Sequence, residues 1–358
     1  MSRSILIMAG GTGGHIFPGL AVAEEMRAAG WRVLWMGARG GMEERLVPQH
    51  GYETALIRAR AARGKGLLQK LLLPANLLLS FWESARHLRR LKPDVVLGLG
   101  GYVAFPGGMM ASLLDRPLAL HEQNAIAGLA NRVLAGVCDK VMVAFPGALK
   151  RAEWTGNPVR ASIAAIAPPQ ERFQGREGPL RLLVVGGSLG AQALNEALPR
   201  ALAMLEPRPR VVHQSGEKHL EALRKNYAAA AVEGELVAFI DDMARRYAEA
   251  DLVVCRAGAV TVAELSAGGM ASILVPFPHA VDDHQTANAR FLADQGAAIL
   301  LPQAQMTPAR LATLLGALDR PKLLEMATKA RALGKPGAAR VVAQRCMELA
   351  ETPARGAR

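Results

Sequence analysis

Two stretches of this chain follow one plan, and that plan restricts the fold more than any other feature. Ile5-Leu6-Ile7-Met8 runs into Ala9-Gly10-Gly11-Thr12-Gly13-Gly14-His15 and then into a helical pattern carrying Pro18, Leu20, Val22, Ala23 and Met26. Half a chain later, Arg181-Leu182-Leu183-Val184-Val185 runs into Gly186-Gly187-Ser188-Leu189-Gly190 and the helical stretch Ala191–Leu205. A short apolar run without alternation fits a strand buried on both faces, as in parallel sheets, and the glycines form the turn into the helix. Such a turn lets backbone N–H groups converge on an anion at the positive helix end, and the missing Cβ atoms let a bulky ligand come close. The expected architecture is α/β: two doubly wound parallel-sheet domains in tandem, facing a cleft.

Each half continues with strand and helix in alternation, the pattern of doubly wound sheets. The strands are expected at Val95–Leu99, Leu118–His121 and Lys140–Ala144 in the first half, and at Val211–His213, Leu236–Phe239, Leu252–Cys255 and Ser272–Val275 in the second. The join is expected near Trp154-Thr155-Gly156-Asn157-Pro158-Val159-Arg160, followed by a looser stretch over 167–179. A length of 358 residues, 51% of them hydrophobic, gives each half enough material for its own core.

The glycine turns do not spell a dinucleotide site. Starting at Gly11, the last position of G-x-G-x-x-G is Ile16, and Trp31–Met36 runs into Gly37-Ala38-Arg39-Gly40 with no acid closing that strand. No Gly-Lys-Ser/Thr follows either, so the phosphate-loop pattern is absent. A formal charge of +12 favours anionic partners, whether phosphorylated metabolites or an acidic membrane face. With 4% aromatic residues and no basic tract interleaved with aromatics, nucleic acid is not expected as a partner. Cys138, Cys255 and Cys346 lack metal-ligand or CxxC spacing and fit buried thiols of a reducing compartment. The apolar run after Arg3 is too short for a secretory segment, which points to the cytosol.

In open α/β sheets ligands bind beyond the carboxyl ends of the strands, and the reactive side chains gather at those positions. In the second half they are Gly187-Ser188, where Ser188 could bind phosphate or simply cap a helix; Cys255-Arg256-Ala257-Gly258-Ala259-Val260-Thr261-Val262-Ala263-Glu264; and Pro276-Phe277-Pro278-His279 with Asp282, Asp283, His284, Gln285 and Asn288. Glu264 is placed to accept two ribose hydroxyls while Ala259–Thr261 offer amides to phosphate; the plain alternative is a capping box of Thr261 and Glu264. The acids and histidines over 279–284 lack firm metal-ligand spacing, so no metal is expected, and Gln285 and Asn288 suit a polyhydroxylated ligand better. In the first half, Gly98-Leu99-Gly100-Gly101-Tyr102 sets a second glycine turn beside the first, and His121-Glu122-Gln123-Asn124 follows a strand, with His121 and Glu122 readable as a buried hydrogen-bonded pair.

Taken together, GGTGGHIFPGLA (10–21), GLGGYVAFPG (98–107), HEQNAIAGLANR (121–132), TGNPVR (155–160), GGSLGAQALN (186–195), HQSG (213–216), CRAGAVTVAEL (255–265) and PFPHAVDDHQTANA (276–289) resemble the bacterial peptidoglycan glycosyltransferases that make lipid II. The resemblance runs through nearly the whole chain in one order. It implies a GT-B fold of two Rossmann-like domains, an acceptor-side domain over 1–160 and a UDP-N-acetylglucosamine domain over 161–334, with a last helix, Lys335–Glu348 within 335–358, returning to the first domain. It implies an inverting, metal-independent transfer of N-acetylglucosamine to the 4-hydroxyl of undecaprenyl-pyrophosphoryl-MurNAc-pentapeptide, with no cofactor.

By the same resemblance, the donor contacts fall on Thr12, Gly13, Gly14, Asn124, Arg160, Ser188, Ile240 at the uracil, Ala259, Val260, Thr261, Val262, Ala263, Glu264 and Gln285 at the sugar. The acceptor's diphosphate is expected at Gly13, Gly14, His15, Gly100, Gly101 and Tyr102. His15, at a helix N-terminus that favours the neutral ring, is the expected general base. Leucines over 66–82 with Trp82, flanked by Arg58, Arg60, Arg63, Lys65 and Lys70 and by Arg86, Arg89, Arg90 and Lys92, are too short and interrupted to span a bilayer and suit an anionic membrane surface. That places the protein at the cytoplasmic face of the membrane as a peripheral protein, where other cell-wall synthesis proteins are available as partners. The rival readings are another UDP-sugar enzyme such as a 2-epimerase, which needs no lipid, and a non-catalytic nucleotide-sugar sensor, which has no use for the first-half glycine loops.

Overall fold

The computed structural model describes residues 2–59, 73–187 and 190–352, which form two compact units: residues 1–160 with 337–358, and residues 161–336. The helix expected over Lys335–Glu348 starts and ends three residues later, at Ala338 and Glu351. One helix ends at Leu333, and the last runs Ala338–Glu351, because Pro336-Gly337 interrupts the path between them.

The first unit has a seven-stranded sheet: β1 (Ser4–Ala9), β2 (Arg32–Ala38), β3 (Glu53–Ile57), β4 (Val95–Gly100), β5 (Leu118–Glu122), β6 (Lys140–Val143) and β7 (Glu153–Trp154), in the spatial order 3-2-1-4-5-6-7 with all pairs parallel. β1 lies between β2 and β4, with Ile5 opposite both Val33 and Val95. Both faces of β1 and β4 are covered, which explains apolar runs without alternation. Each of these buried side chains contributes roughly 1.5–3 kcal/mol relative to exposure. The helix Gly13–Ala28 packs so tightly on the sheet that a Cβ at Gly19 would lie 2.6 Å from the Trp35 ring, whose Nε1–H donates to the Ala9 carbonyl at 2.9 Å.

The last helix packs Val342, Ala343 and Cys346 into the same core as β1 and the Gly13–Ala28 helix. Arg345 donates to both carboxyl oxygens of Glu153 on β7 at 2.9–3.0 Å, and Lys140 on β6 pairs with Glu153 at 2.6 Å. These bonds hold the Glu153 carboxyl down to about 2 from its ordinary 4.5. A lowered carboxyl pKa stabilises the fold fully above about 4.5 and loses that contribution as pH falls toward about 2. Glu153→Gln should therefore lower the urea midpoint at pH 7 and lose less stability than the parent between pH 4.5 and 2; parallel pH profiles would contradict this role.

The second unit has a six-stranded parallel sheet: β8 (Arg181–Val185), β9 (Arg210–Gln214), β10 (Glu235–Val237), β11 (Leu252–Cys255), β12 (Ser272–Leu274) and β13 (Ile299–Leu300), in the order 10-9-8-11-12-13. The strand expected at Leu236–Phe239 stops at Val237, and Phe239 is exposed beyond it. Both units repeat one topology. In each, the first strand has the second on one side and the fourth on the other, so the strand order reverses between β1 and β4 and between β8 and β11. Those reversals leave a crevice beyond the carboxyl ends of the strands, the usual ligand position in open α/β sheets.

Candidate active site

In the first unit the reversal point brings the two glycine turns together. Thr12 is the N-cap of the Gly13–Ala28 helix, and its side chain makes no capping bond. Gly13, Gly14 and His15 form the first turn, whose leading N–H groups have no carbonyl one turn back to bind. Gly100 and Gly101 have φ of +107° and +79°. A Cβ on Gly100 would lie 2.8 Å from the His15 ring, and one on Gly101 would overlap the Gly10 carbonyl. Tyr102 is exposed and lies over Gly11.

The acid missing from the end of β2 is supplied from the next helix. Glu43 is fully buried and accepts from Ala38 N–H at 2.8 Å and Gly11 N–H at 3.2 Å, with Gly10, Gly37 and Gly41 leaving room for its carboxyl group. The Gly11 amide is thus engaged inside the fold, and the His15 amide donates to the Thr12 carbonyl at 3.1 Å. This leaves Gly13 and Gly14 as the loop amides suited to an anion.

His121 and Glu122 are not the hydrogen-bonded pair expected from their adjacency. Successive strand side chains point to opposite faces. Glu122 accepts from Asn124 N–H at 2.8 Å, Asn124 Nδ2 at 3.3 Å and Asn131 Nδ2 at 2.8 Å, so Asn124 is braced by the strand end. His121 turns the other way, toward Gly156 and Gln123, and burial pushes its imidazole down to about 4. Gln123 in turn reaches His15 Nδ1 at 2.7 Å, a contact the sequence reading did not foresee. Arg160 ends the first of the two segments that form this unit.

In the second unit, the turn after β8 is tied to Gln214 of β9: Gly187 N–H donates to Gln214 Oε1 at 3.1 Å, and Gln214 Nε2 donates to the Gly187 carbonyl at 3.0 Å. Ser188 lies outside the described residues. The helix that follows runs Gln192–Leu202 with Ala191 as N-cap. In the neighbouring HQSG stretch, His213 is buried between Tyr227 Oη and Asn195 Oδ1, each at 3.0 Å, and burial pushes it down to about 3, which suits a structural imidazole.

After β11, Gly258 is the N-cap of the helix Ala259–Gly268, again without a side-chain cap, so the Thr261–Glu264 capping box is not formed. Ala259, Val260, Thr261, Val262 and Ala263 make its first turns, and Glu264 is held close to Tyr247, whose hydroxyl lies 3.4 Å from Oε2. Burial, with the Glu264 charge nearby, pushes the Cys255 thiol up to about 12, so it stays protonated. Arg256 donates to the Val275 and Pro276 carbonyls at 3.2 Å and fixes the loop after β12. In that loop Gln285 Oε1 accepts from Phe277 N–H at 2.9 Å, and Asn288 is turned inward, donating to the Ala257 carbonyl at 3.2 Å. Asn288 is thus engaged in joining two loops, contrary to the ligand-facing role expected for it. Ile240 is buried beyond β10. Among the described residues, no three His, Cys, Asp or Glu side chains gather as a metal site.

Residues 60–72 of the leucine-rich segment, with Arg60, Arg63, Lys65 and Lys70, lie outside the described residues. The helix Leu73–Leu91 leaves Leu77, Leu78 and Trp82 exposed, at 70% for Leu78 and 58% for Trp82, with the Arg86 guanidinium 5.7 Å from the Trp82 ring centre. The same helix buries Ala85 and Leu88, and Glu83 accepts from Arg58 N–H at 2.6 Å, so only its first half presents apolar surface outward. No described helix is long and apolar enough to cross a membrane.

The glycosyltransferase family 28 N-terminal domain matches residues 5–143, and the family's C-terminal domain matches residues 181–346. The UDP-N-acetylglucosamine--N-acetylmuramyl-(pentapeptide) pyrophosphoryl-undecaprenol N-acetylglucosamine transferase of Aromatoleum aromaticum is 68% identical over 97% of this chain and 98% of its own length. The protein of the same name from Dechloromonas aromatica is 61% identical over 98% of this chain and 100% of its own. The crystal structure of Acinetobacter baumannii MurG is 43% identical and superposes with a TM-score of 0.86, covering 97% of this chain and 99% of that one.

Proposed function

The chain belongs to glycosyltransferase family 28, and from that premise we propose that it transfers N-acetylglucosamine from UDP-N-acetylglucosamine to the 4-hydroxyl of the muramoyl sugar in undecaprenyl-pyrophosphoryl-MurNAc-pentapeptide, making lipid II for peptidoglycan. The observation that carries this reading is the doubled site. Each unit has, at the reversal point of its sheet, a helix N-terminus with no side-chain cap, one bearing His15 and the other leading to Glu264.

The second unit holds the donor. Glu264 accepts the ribose hydroxyls, Ile240 borders the uracil, and the amides of Ala259, Val260 and Thr261, with Ser188, bind the diphosphate; Arg160, a first-unit residue, is assigned to the same group. UDP gains negative charge as it leaves, and amides and a guanidinium that bind it stabilise the transition state. Gln285 meets the sugar, with Val262 and Ala263 shaping the wall beside it.

The first unit serves the acceptor. Gly13, Gly14, Gly100, Gly101 and Tyr102 receive its diphosphate, Thr12 and Asn124 reach the donor, and His15 takes the proton from the attacking hydroxyl. The oxygen forms its bond to the anomeric carbon as the bond to UDP breaks, so an α-linked donor gives a β-linked product. Incubating the protein with labelled UDP-N-acetylglucosamine and a short-chain lipid I analogue tests the reading. Labelled disaccharide lipid is expected; label found only in an epimerised sugar, or binding without turnover, would favour the epimerase or the sensor.

The acceptor's lipid also supports a membrane-surface position on the cytoplasmic side, reached through Leu77, Leu78 and Trp82 with Arg86, Arg89, Arg90 and Lys92 around them. Each basic residue near an anionic surface contributes about 1 kcal/mol, screened by salt. Vesicles containing anionic lipid should bind the protein, less so at high salt, and Leu78→Ser with Trp82→Ser should reduce binding. Equal binding to neutral and anionic vesicles would contradict the electrostatic part.

A further inference from the structure

We infer that Gln123 is a positioning residue that fixes the tautomer of His15, leaving Nε2 as the lone-pair nitrogen; this rests on the reading of His15 as the base. The hydrogen bonds permit one assignment. Gln123 Nε2 lies 2.8 Å from the His121 carbonyl oxygen, which can only accept, so that atom of the amide is the NH2 group. The other amide atom is then the carbonyl Oε1, 2.7 Å from His15 Nδ1, and an acceptor there requires the proton on Nδ1. A neutral imidazole carries one N–H, so His15 Nε2 has the lone pair.

The brace extends one step further. Gln123 Nε2 also lies 3.1 Å from His121 Nδ1, and His121 Nε2 lies 2.9 Å from the Gly156 carbonyl. The carbonyl fixes the His121 proton on Nε2, which makes its Nδ1 an acceptor for the same Gln123 amide. Both His121 and Gln123 are fully buried, so water does not compete for these bonds. His15 is half-buried, with Gly100 backbone against its ring face, and among the described residues its Nε2 makes no hydrogen bond. The ring is thus held by a neutral amide, whereas the histidine of a Ser-His-Asp triad is held by a carboxylate. A neutral acceptor orients the ring without adding charge beside a site that receives a diphosphate.

The test is a 15N spectrum of the full protein with labelled histidine, taken at a pH where His15 is neutral and assigned by the peak lost in His15→Ala. The parent should show a protonated Nδ1 and an unprotonated Nε2. In Gln123→Met, which keeps length and volume but removes the acceptor, the pattern should move toward the opposite tautomer, and kcat should fall about tenfold or more with donor KM unchanged. A parent spectrum with the proton on Nε2 overturns the inference, as does an unchanged tautomer in Gln123→Met. Turnover that survives in His15→Ala overturns the base reading instead, and with it any role for Gln123 in the transfer, while the tautomer result stands by itself.

Discussion

His15→Ala is expected to lower turnover by about a hundredfold or more while leaving UDP-N-acetylglucosamine affinity nearly unchanged, because a positioned base acts in the transition state and not on the bound donor. The substitution removes the ring that packs against Gly100 and reaches Gln123, so thermal unfolding should be followed alongside the kinetics. A variant that keeps kcat and raises only the acceptor's KM would reassign His15 to orienting the acceptor phosphate or sugar.

Glu264→Ala is expected to weaken UDP binding by about tenfold to a hundredfold, since charge-assisted bonds from a carboxylate to two ribose hydroxyls amount to roughly 1.5–3 kcal/mol. Glu264 is buried near the Tyr247 hydroxyl, so Tyr247→Phe serves as the control for lost packing order. Calorimetry should find the large loss in Glu264→Ala and a small one in Tyr247→Phe. Unchanged UDP affinity in a folded Glu264→Ala protein would contradict the ribose assignment.

The central strands were the most legible part of the molecule. β1, β4, β8 and β11 are covered on both faces, so each is an unbroken apolar run. β3 escaped notice because Glu53 and Thr54 break its pattern, and β7 and β13 because two residues carry no periodicity. The glycine turns were legible as turns, but not which of their amides are already engaged: Glu43 comes back to Gly11 from five residues beyond β2.

The His15–Gln123 contact was hidden for the same reason, since it joins residues from two strand ends that only the sheet brings together. A partial signal was present. Alternation along β5 puts His121 and Gln123 on one face and Glu122 on the other, which argues against a His121–Glu122 pair from sequence alone. Asn288 and His213 illustrate the converse: polar residues in motifs that resemble a ligand site, yet engaged in holding loops and strands together.

The proposed transfer requires a single displacement at the anomeric carbon, with the proton leaving to a group of the protein. The proton spectrum of the disaccharide formed from UDP-N-acetylglucosamine and a short-chain lipid I analogue reads this directly, through the coupling of the new anomeric proton. A β-linked product attached to the muramoyl 4-hydroxyl is the predicted result. An α-linked product would mean that the anomeric configuration is retained, which a single in-line displacement cannot give, and would contradict the proposed transfer.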